Sequence, residues 1–170
     1  AGLDVILVDS CSRSDWPLYK ANIDSDISKI LNILVQLDLL PESGKKIIRS
    51  RICCLSKDDG LTALSKCNLL FEAVPETEIA KKEAFVNLDD ALPSEAIVAS
   101  TTSTFLADLI ASWSGRPERV LNAHFLNPAF LVPLVEVSPN EQTGKETIDQ
   151  IMEMRHESGK VPVLCKASPG

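Results

Sequence analysis

Long hydrophobic runs and clusters of basic residues are both missing from this 170-residue chain. No apolar run approaches the roughly 18 to 20 residues that cross a bilayer, so a membrane-spanning helix is not expected. Lysine and arginine number 17 against 24 acidic residues, which gives a net charge of −7. Nucleic acids and anionic membrane surfaces bind clustered cations, and we therefore expect neither as a partner.

Cysteine is present, but not in a pattern typical of a disulfide framework or a metal site. The cysteines form no C-x-x-C pair and are odd in number: Cys11, Cys53, Cys54, Cys67 and Cys165. A zinc site or a disulfide set needs paired spacings, so we expect no bound metal. Reduced thiols indicate a cytosol-like compartment, and we expect a cytoplasmic protein or, in a eukaryote, one of the mitochondrial matrix.

Short apolar runs alternate with longer amphipathic stretches along the whole chain. The predicted strands cover residues 3–9, 51–56, 68–75, 96–100, 119–125, 134–138 and 161–166, and the main predicted helices cover residues 16–39, 77–92, 105–112 and 143–158. Strands that are apolar throughout are typical of a parallel sheet covered on both faces. We therefore predict one α/β domain over residues 1–170, with a doubly wound, mostly parallel sheet.

In an open parallel sheet, ligands bind at the carboxyl ends of the strands. Asp9 ends the first predicted strand, where a carboxylate can accept hydrogen bonds from both ribose hydroxyls of an adenine dinucleotide and would repel the extra phosphate of NADP. A helix N-cap or a turn is the alternative role for Asp9. The glycine-rich turn of dinucleotide-binding folds precedes such an acid by about twenty residues. Since the seven glycines contain no G-x-G spacing, we expect the first strand and its glycine loop to lie upstream of Ala1.

Polar residues follow two further predicted strands. Val74, Pro75 and Glu76 end the third predicted strand, where their backbone can line a cofactor. Lys81, one helical turn later, can meet a phosphate or a carboxylate. Pro75 and Glu76 are equally typical of a helix start. Residues 98–104, "VASTTST", bring a hydroxyl cluster to the next strand end, for which helix capping is the favoured role.

One of the two histidines, His124, lies at the end of an apolar strand, with Asn127 just beyond it and Glu136 twelve residues on. A lone histidine in such a run is usually a core residue, but the position at a strand end favours a functional role. A carboxylate in an apolar strand needs a partner, and Glu136 can hold one imidazole nitrogen while the other accepts a proton. The second histidine, His156, is explained by interaction with a helix C-terminus.

Five segments carry a family resemblance by their order and spacing: "FEAVPE", "ASTTS", "AHFLNP", "PLVEVSP" and "GKVPVLCKASPG". Together they resemble the NAD-binding domain of the short-chain L-3-hydroxyacyl-CoA dehydrogenases, and the resemblance runs from residue 1 to residue 170. It implies a Rossmann-like fold, NAD as cofactor and an acyl-CoA as substrate. It also implies an incomplete chain, because the family continues into a helical domain that forms a homodimer.

The resemblance assigns catalytic roles residue by residue. His124 would be the general base that removes the 3-hydroxyl proton, and Glu136 would be its dyad partner. Ser103 would contact substrate and nicotinamide, and Asn127 falls on the asparagine that follows the family's histidine. Thr101 stands where the family has an asparagine.

The cofactor contacts implied by the resemblance lie at two strand ends. Glu76 and Lys81 match cofactor-contacting positions, and Val74 and Pro75 lie beside them. Asp9 matches the ribose-binding acid, which favours NAD.

The expected activity is therefore an oxidoreductase of fatty acid β-oxidation that exchanges hydride between the 3-hydroxyl carbon of an L-3-hydroxyacyl-CoA and NAD. The same domain occurs in L-carnitine and L-gulonate dehydrogenases, so a 3-hydroxy acid without coenzyme A is one alternative substrate. A non-catalytic relative, as among the lens crystallins of this superfamily, is the other alternative.

Overall fold

The computed structural model describes residues 2–166, without the side chains of residues 154–157. The chain divides into two compact units, residues 2–62 and residues 63 onward, and each is described by itself. The side chain of His156 and residues 167–170 of the fifth segment lie outside the described part. No helix of residues 2–166 combines the length and the apolarity needed to cross a membrane.

The smaller unit is built on two parallel strands. Strand β1 spans Val5–Val8 and β2 spans Ile52–Leu55, and Val5 pairs with Ile52 in the register. Between them run two helices, α1 (Trp16–Gln36) and α2 (Glu42–Ser50). Asp9 follows β1 directly, and its backbone N–H extends the ladder by donating to the carbonyl of Leu55. The carboxylate of Asp9 therefore begins at the carboxyl end of β1, as the sequence predicts.

A further helix, α3 (Lys57–Leu64), follows β2 and was not predicted. Its interior contains Gly60, a residue that lowers helix stability by about 1 kcal/mol relative to alanine. Gly60 is buried, and a Cβ there would lie 2.2 Å from Cγ1 of Val8. Glycine at this position therefore lets α3 approach β1 closely, at the expense of the helical signal in the sequence.

The larger unit contains a five-stranded sheet in the order β3-β4-β5-β6-β7. Its strands are β3 (Leu69–Glu72), β4 (Ile97–Ser100), β5 (Val120–Phe125), β6 (Leu134–Pro139) and β7 (Val161–Leu164). Its helices are α4 (Glu78–Ala91), α5 (Ala107–Ala111) and α6 (Lys145–Ser158), with a 3₁₀ turn at Pro117–Arg119. All neighbouring strands are parallel except β5 and β6, which are antiparallel. The predicted α/β class and mostly parallel sheet are confirmed.

The core of the larger unit lies on the central strands. All four residues of β4 and the first four of β5 are buried, which is typical of strands covered on both faces. The core cluster comprises Ile97, Ala99, Leu121, Ala123, Val135, Val137 and Ile151. The parallel pairing brings the carboxyl ends of β3, β4 and β5 to one edge of the sheet, and the antiparallel β6 begins beside them.

Candidate active site

A histidine and a glutamate face each other across the antiparallel pair. The register of β5 and β6 places His124 directly opposite Glu136, so both side chains leave the same face of the sheet. Nδ1 of His124 lies 2.9 Å from Oε2 of Glu136. A carboxylate can only accept a hydrogen bond, so this contact places the proton of the neutral ring on Nδ1 and leaves the lone pair on Nε2. The pair therefore has the arrangement of an oriented general base.

The pair opens onto a cleft of about 200 Å³. The cleft is lined by Thr102, Ser103, Thr104, Phe105, Leu106, Ala107, Asn122, His124, Glu136, Ser138, Cys165 and Lys166. The structure thus brings together His124, Glu136 and Ser103, three of the predicted catalytic residues. Asn127, the fourth, lies exposed in the segment between β5 and β6 and does not line the cleft.

Asn122 is a site residue that the sequence analysis missed. Its side chain is buried, and Nδ2 donates to the carbonyl of Phe105 over 2.8 Å, which attaches the loop of residues 101–106 to β5. Its Oδ1 is buried without a hydrogen-bond partner in the part of the chain that the structure describes. A buried acceptor of this kind is normally satisfied by a donor, such as an amide N–H or a water molecule. The signal in the sequence was an asparagine two residues before His124 in an otherwise apolar strand.

A buried ion pair lies at the carboxyl ends of β3 and β4. Lys81 Nζ lies 3.0 and 3.1 Å from the two carboxylate oxygens of Glu72, and each side chain is only 1% exposed. Glu72 also accepts hydrogen bonds from the backbone N–H of Val74 over 2.7 Å and from the hydroxyl of Ser100 over 2.5 Å. Glu72 was not identified from the sequence, although a carboxylate in the apolar run "LLFEAV" was the available signal.

Glu76 connects this ion pair to the loop that carries Ser103. Its Oε2 lies 3.1 Å from Lys81 Nζ, and its Oε1 accepts hydrogen bonds from the hydroxyls of Thr102 and Thr104, the latter over 2.7 Å. Partial burial alone would raise the pKa of Glu76, but the bonds from the two threonines and Lys81 outweigh it and lower the pKa to about 2. Glu76 is therefore a carboxylate at neutral pH and holds residues 102–104 in place.

The predicted cofactor-contacting residues differ in their accessibility. Pro75 and Glu76 are exposed and Val74 is partly buried, directly after β3. The ammonium of Lys81 has three N–H donors, and the carboxylates of Glu72 and Glu76 lie around it. A contact between Lys81 and a cofactor remains a prediction. Asp9 belongs to the smaller unit, where Arg13 donates to its Oδ2 over 2.6 Å.

Residues 1–168 match the family described as "3-hydroxyacyl-CoA dehydrogenase, NAD binding domain". The chain belongs to this family. Its cofactor is NAD, and its Rossmann-like fold is shared with solved dehydrogenases of the same group. The match covers both compact units and contains every predicted site residue.

Two curated relatives of the chain carry names that match this family. A 3-hydroxybutyryl-CoA dehydrogenase of Clostridioides difficile is 34% identical over 155 residues, which cover 89% of this chain and 55% of that protein. The mitochondrial hydroxyacyl-coenzyme A dehydrogenase of Mus musculus is 32% identical over 131 residues, covering 76% of this chain and 42% of that protein.

Among solved structures, the (S)-3-hydroxybutyryl-CoA dehydrogenase of Ralstonia eutropha superposes with a TM-score of 0.86 at 28% identity, covering 99% of this chain and 57% of that one. The chain therefore spans about half the length of the curated relatives it matches.

The residues of the cleft are chemically suited to contact a nicotinamide group. Thr102, Ser103 and Thr104 supply hydroxyls, and Asn122 supplies a buried acceptor that lacks a partner within residues 2–166. Nε2 of His124 supplies a proton acceptor. No group of three or more His, Cys, Asp and Glu residues that could hold a metal ion occurs in the described part of the chain.

Proposed function

We propose that the protein containing this chain is an NAD-dependent dehydrogenase that converts an L-3-hydroxyacyl-CoA into its 3-oxoacyl-CoA and catalyses the reverse reaction. The observation that supports this most strongly is the 2.9 Å contact between His124 and Glu136 at a cleft, in a chain of this family. A neutral imidazole held by a carboxylate is suited to removing a proton from an alcohol.

In the oxidation, Nε2 of His124 accepts the proton of the substrate's 3-hydroxyl group. Bound NAD supplies the acceptor for the hydride that leaves carbon 3. The imidazole becomes a cation as it takes the proton, and the carboxylate of Glu136 stabilises that cation through Nδ1. In the reduction, the same nitrogen returns the proton to the carbonyl oxygen.

The neighbouring residues orient the reacting groups in this proposal. Ser103 donates from its hydroxyl to the substrate oxygen. A contact of Asn127 with the substrate and nicotinamide is supported by the family resemblance alone, because Asn127 does not line the cleft. Glu76 keeps the loop of Ser103 in position through Thr102 and Thr104. In the larger unit, Val74 and Pro75 are proposed to contact NAD, and Lys81, whose side chain is only 1% exposed, is proposed to act through the carboxylates of Glu72 and Glu76. In the smaller unit, Asp9 is proposed to lie beside the adenosine ribose.

The test is a pair of substitutions in the full-length protein. His124→Gln removes the proton acceptor, and we expect kcat for 3-hydroxybutyryl-CoA with NAD to fall by at least about a hundredfold, the scale of general-base catalysis. Glu136→Gln should cause a smaller loss, because Glu136 orients and does not transfer the proton. NADH binding, followed by its fluorescence, should persist in both variants.

Lys145→Gln, on the exposed face of α6, is the matched control and should behave as the wild type. A His124→Gln enzyme that retains more than about a tenth of wild-type kcat would contradict the mechanism. Faster turnover of L-carnitine or L-gulonate than of 3-hydroxybutyryl-CoA would move the substrate to the acids without coenzyme A. No turnover of any of the three would favour a non-catalytic relative.

We also propose a homodimer and a cytoplasmic or mitochondrial-matrix location for the full-length protein. The family resemblance supports the homodimer, and the free cysteines support the location. Light scattering after size-exclusion chromatography measures the first, and cell fractionation measures the second.

A further inference from the structure

The loop after β1 contains an unusual set of side chains beside the predicted ribose-binding acid. Residues 10–14 read Ser-Cys-Ser-Arg-Ser, and all five are exposed. The carboxylate of Asp9 is almost completely buried, since its side chain is only 3% exposed. Its Oδ1 accepts from the backbone N–H of Cys11 over 3.0 Å, and its Oδ2 accepts from Nε of Arg13 over 2.6 Å.

Arg13 is held in one plane by two contacts. Nε is bound to Asp9, and the guanidinium carbon lies 4.1 Å from the centre of the Tyr19 ring, a cation–π contact. Nη1 and Nη2 make no hydrogen bond within residues 2–166. The side chain is 35% exposed, so these terminal N–H donors are open to a ligand. A guanidinium fixed in this way presents the fork of donors that matches a phosphate.

The ion pair changes the electrostatic effect of Asp9 on a cofactor. A lone carboxylate at the end of this strand would repel the doubly charged 2′-phosphate of NADP. Arg13 neutralises the charge of Asp9 and adds donors where an arginine accommodates that phosphate in dinucleotide-binding folds. Because the side chain of Asp9 is only 3% exposed, a ribose bound beside it would meet the N–H donors of Arg13 and the exposed residues 10–14 before the carboxylate.

We propose that Arg13 allows this protein to bind NADP as well as NAD, with the terminal N–H groups of Arg13 and the hydroxyls of the serine-rich loop binding the 2′-phosphate. The proposal rests on the proposed function, which places the adenosine ribose of the cofactor at Asp9. Arg13 is then the residue that sets the preference between the two dinucleotides.

Fluorescence titration of the full-length protein with NADPH and with NADH measures this preference without turnover. We expect the two dissociation constants of the wild type to lie within about tenfold of each other. Arg13→Gln should weaken NADPH relative to NADH by at least about tenfold, and Arg13→Lys by less, because lysine keeps the charge but not the fork. In the wild type, 2′,5′-ADP should displace bound NADPH better than 5′-AMP does, and this difference should be absent in Arg13→Gln.

Two further variants keep the experiment decisive. Arg13→Gln leaves Asp9 unpaired and can lower stability, so Arg13→Gln combined with Asp9→Asn tests the loss of the fork without the unpaired carboxylate, and it should also bind NADPH weakly. Lys20→Gln removes another partly exposed cation of the smaller unit, which pairs with Asp24, and should not change the ratio of the two affinities.

The outcomes separate this inference from the proposed function. If the wild type binds NADH but binds NADPH more than about a hundredfold more weakly, or if the ratio is the same in Arg13→Gln, the inference is wrong and the proposed function stands. If the wild type binds neither dinucleotide, both are wrong.

Discussion

Replacing Lys81 with methionine would leave the buried carboxylate of Glu72 without its cation. Both side chains are 1% exposed, so water cannot solvate the charge that remains. Methionine is close to lysine in length and fills the same space, so the change removes the charge and its hydrogen bonds without opening a large cavity. The stability of the larger unit then reports directly on the ion pair.

The structure sets the size of the effect. Removing one partner of a buried ion pair costs about 3–5 kcal/mol, because the other charge stays buried and unpaired. Glu72 keeps its hydrogen bonds from Val74 and Ser100, so we expect a loss near the lower limit, about 3 kcal/mol. In Lys81→Met combined with Glu72→Gln no unpaired charge is left, and the loss should be smaller than the sum of the two single losses by about 1–3 kcal/mol.

Urea-induced unfolding followed by circular dichroism gives the free energy of unfolding of each variant. Hydrogen exchange of the amides in β3 and β4 would locate the loss. Lys82→Met, the exposed neighbour on α4, is the control and should change stability by less than about 0.5 kcal/mol. A loss below about 1 kcal/mol in Lys81→Met would refute the view that this buried pair stabilises the sheet edge.

Two further predictions concern the loops beside the cleft. The pKa of Glu76 is lowered from 4.5 to about 2, so its carboxylate stabilises the fold above pH 4.5, and this stability is lost as the pH falls towards 2. The shift corresponds to about 3 kcal/mol, which solvent screening of a side chain 40% exposed reduces to about 1 kcal/mol. Wild type and Glu76→Gln should therefore differ in Tm at pH 7 and converge near pH 2, and an equal difference at both pH values would contradict this. The second prediction concerns Lys160, whose pKa is lowered by burial and whose ammonium donates to the carbonyls of Ala129 and Val132. Lys160→Met should speed hydrogen exchange of the amides in residues 126–133. Unchanged exchange would show that these two hydrogen bonds do not hold the segment in place.

The sequence predicted the parts of the site that depend on local pattern. His124 and Glu136 were identified because each is a titratable residue in an apolar strand, at the edge where parallel strands end. The antiparallel direction of β6 could also have been predicted. Residues 126–133 are too few for a crossover between parallel strands, which needs about a dozen residues or more.

Other features depend on contacts between distant residues. Glu72 is stabilised by Lys81 on α4 and by Ser100 on β4, and no local pattern indicates that the three meet. Helix α3 was missed because Gly60 lowers helix propensity, and only the proximity of Val8 explains why glycine is present. The hydrogen bond from Arg13 to Asp9 likewise depends on the conformation of the loop after β1.

The antiparallel pairing of β5 with β6 has a consequence for how this protein can change during evolution. The distance between His124 and Glu136 is set by the strand register, not by the length of the segment that connects the strands. Insertions or deletions within residues 126–133 can therefore reshape the surroundings of Asn127 while the two strands keep the dyad intact. One residue inserted within β6 would instead turn Glu136 to the opposite face of the sheet. Under the proposed function, changes in the length of this segment would therefore leave the proton-transfer pair in place.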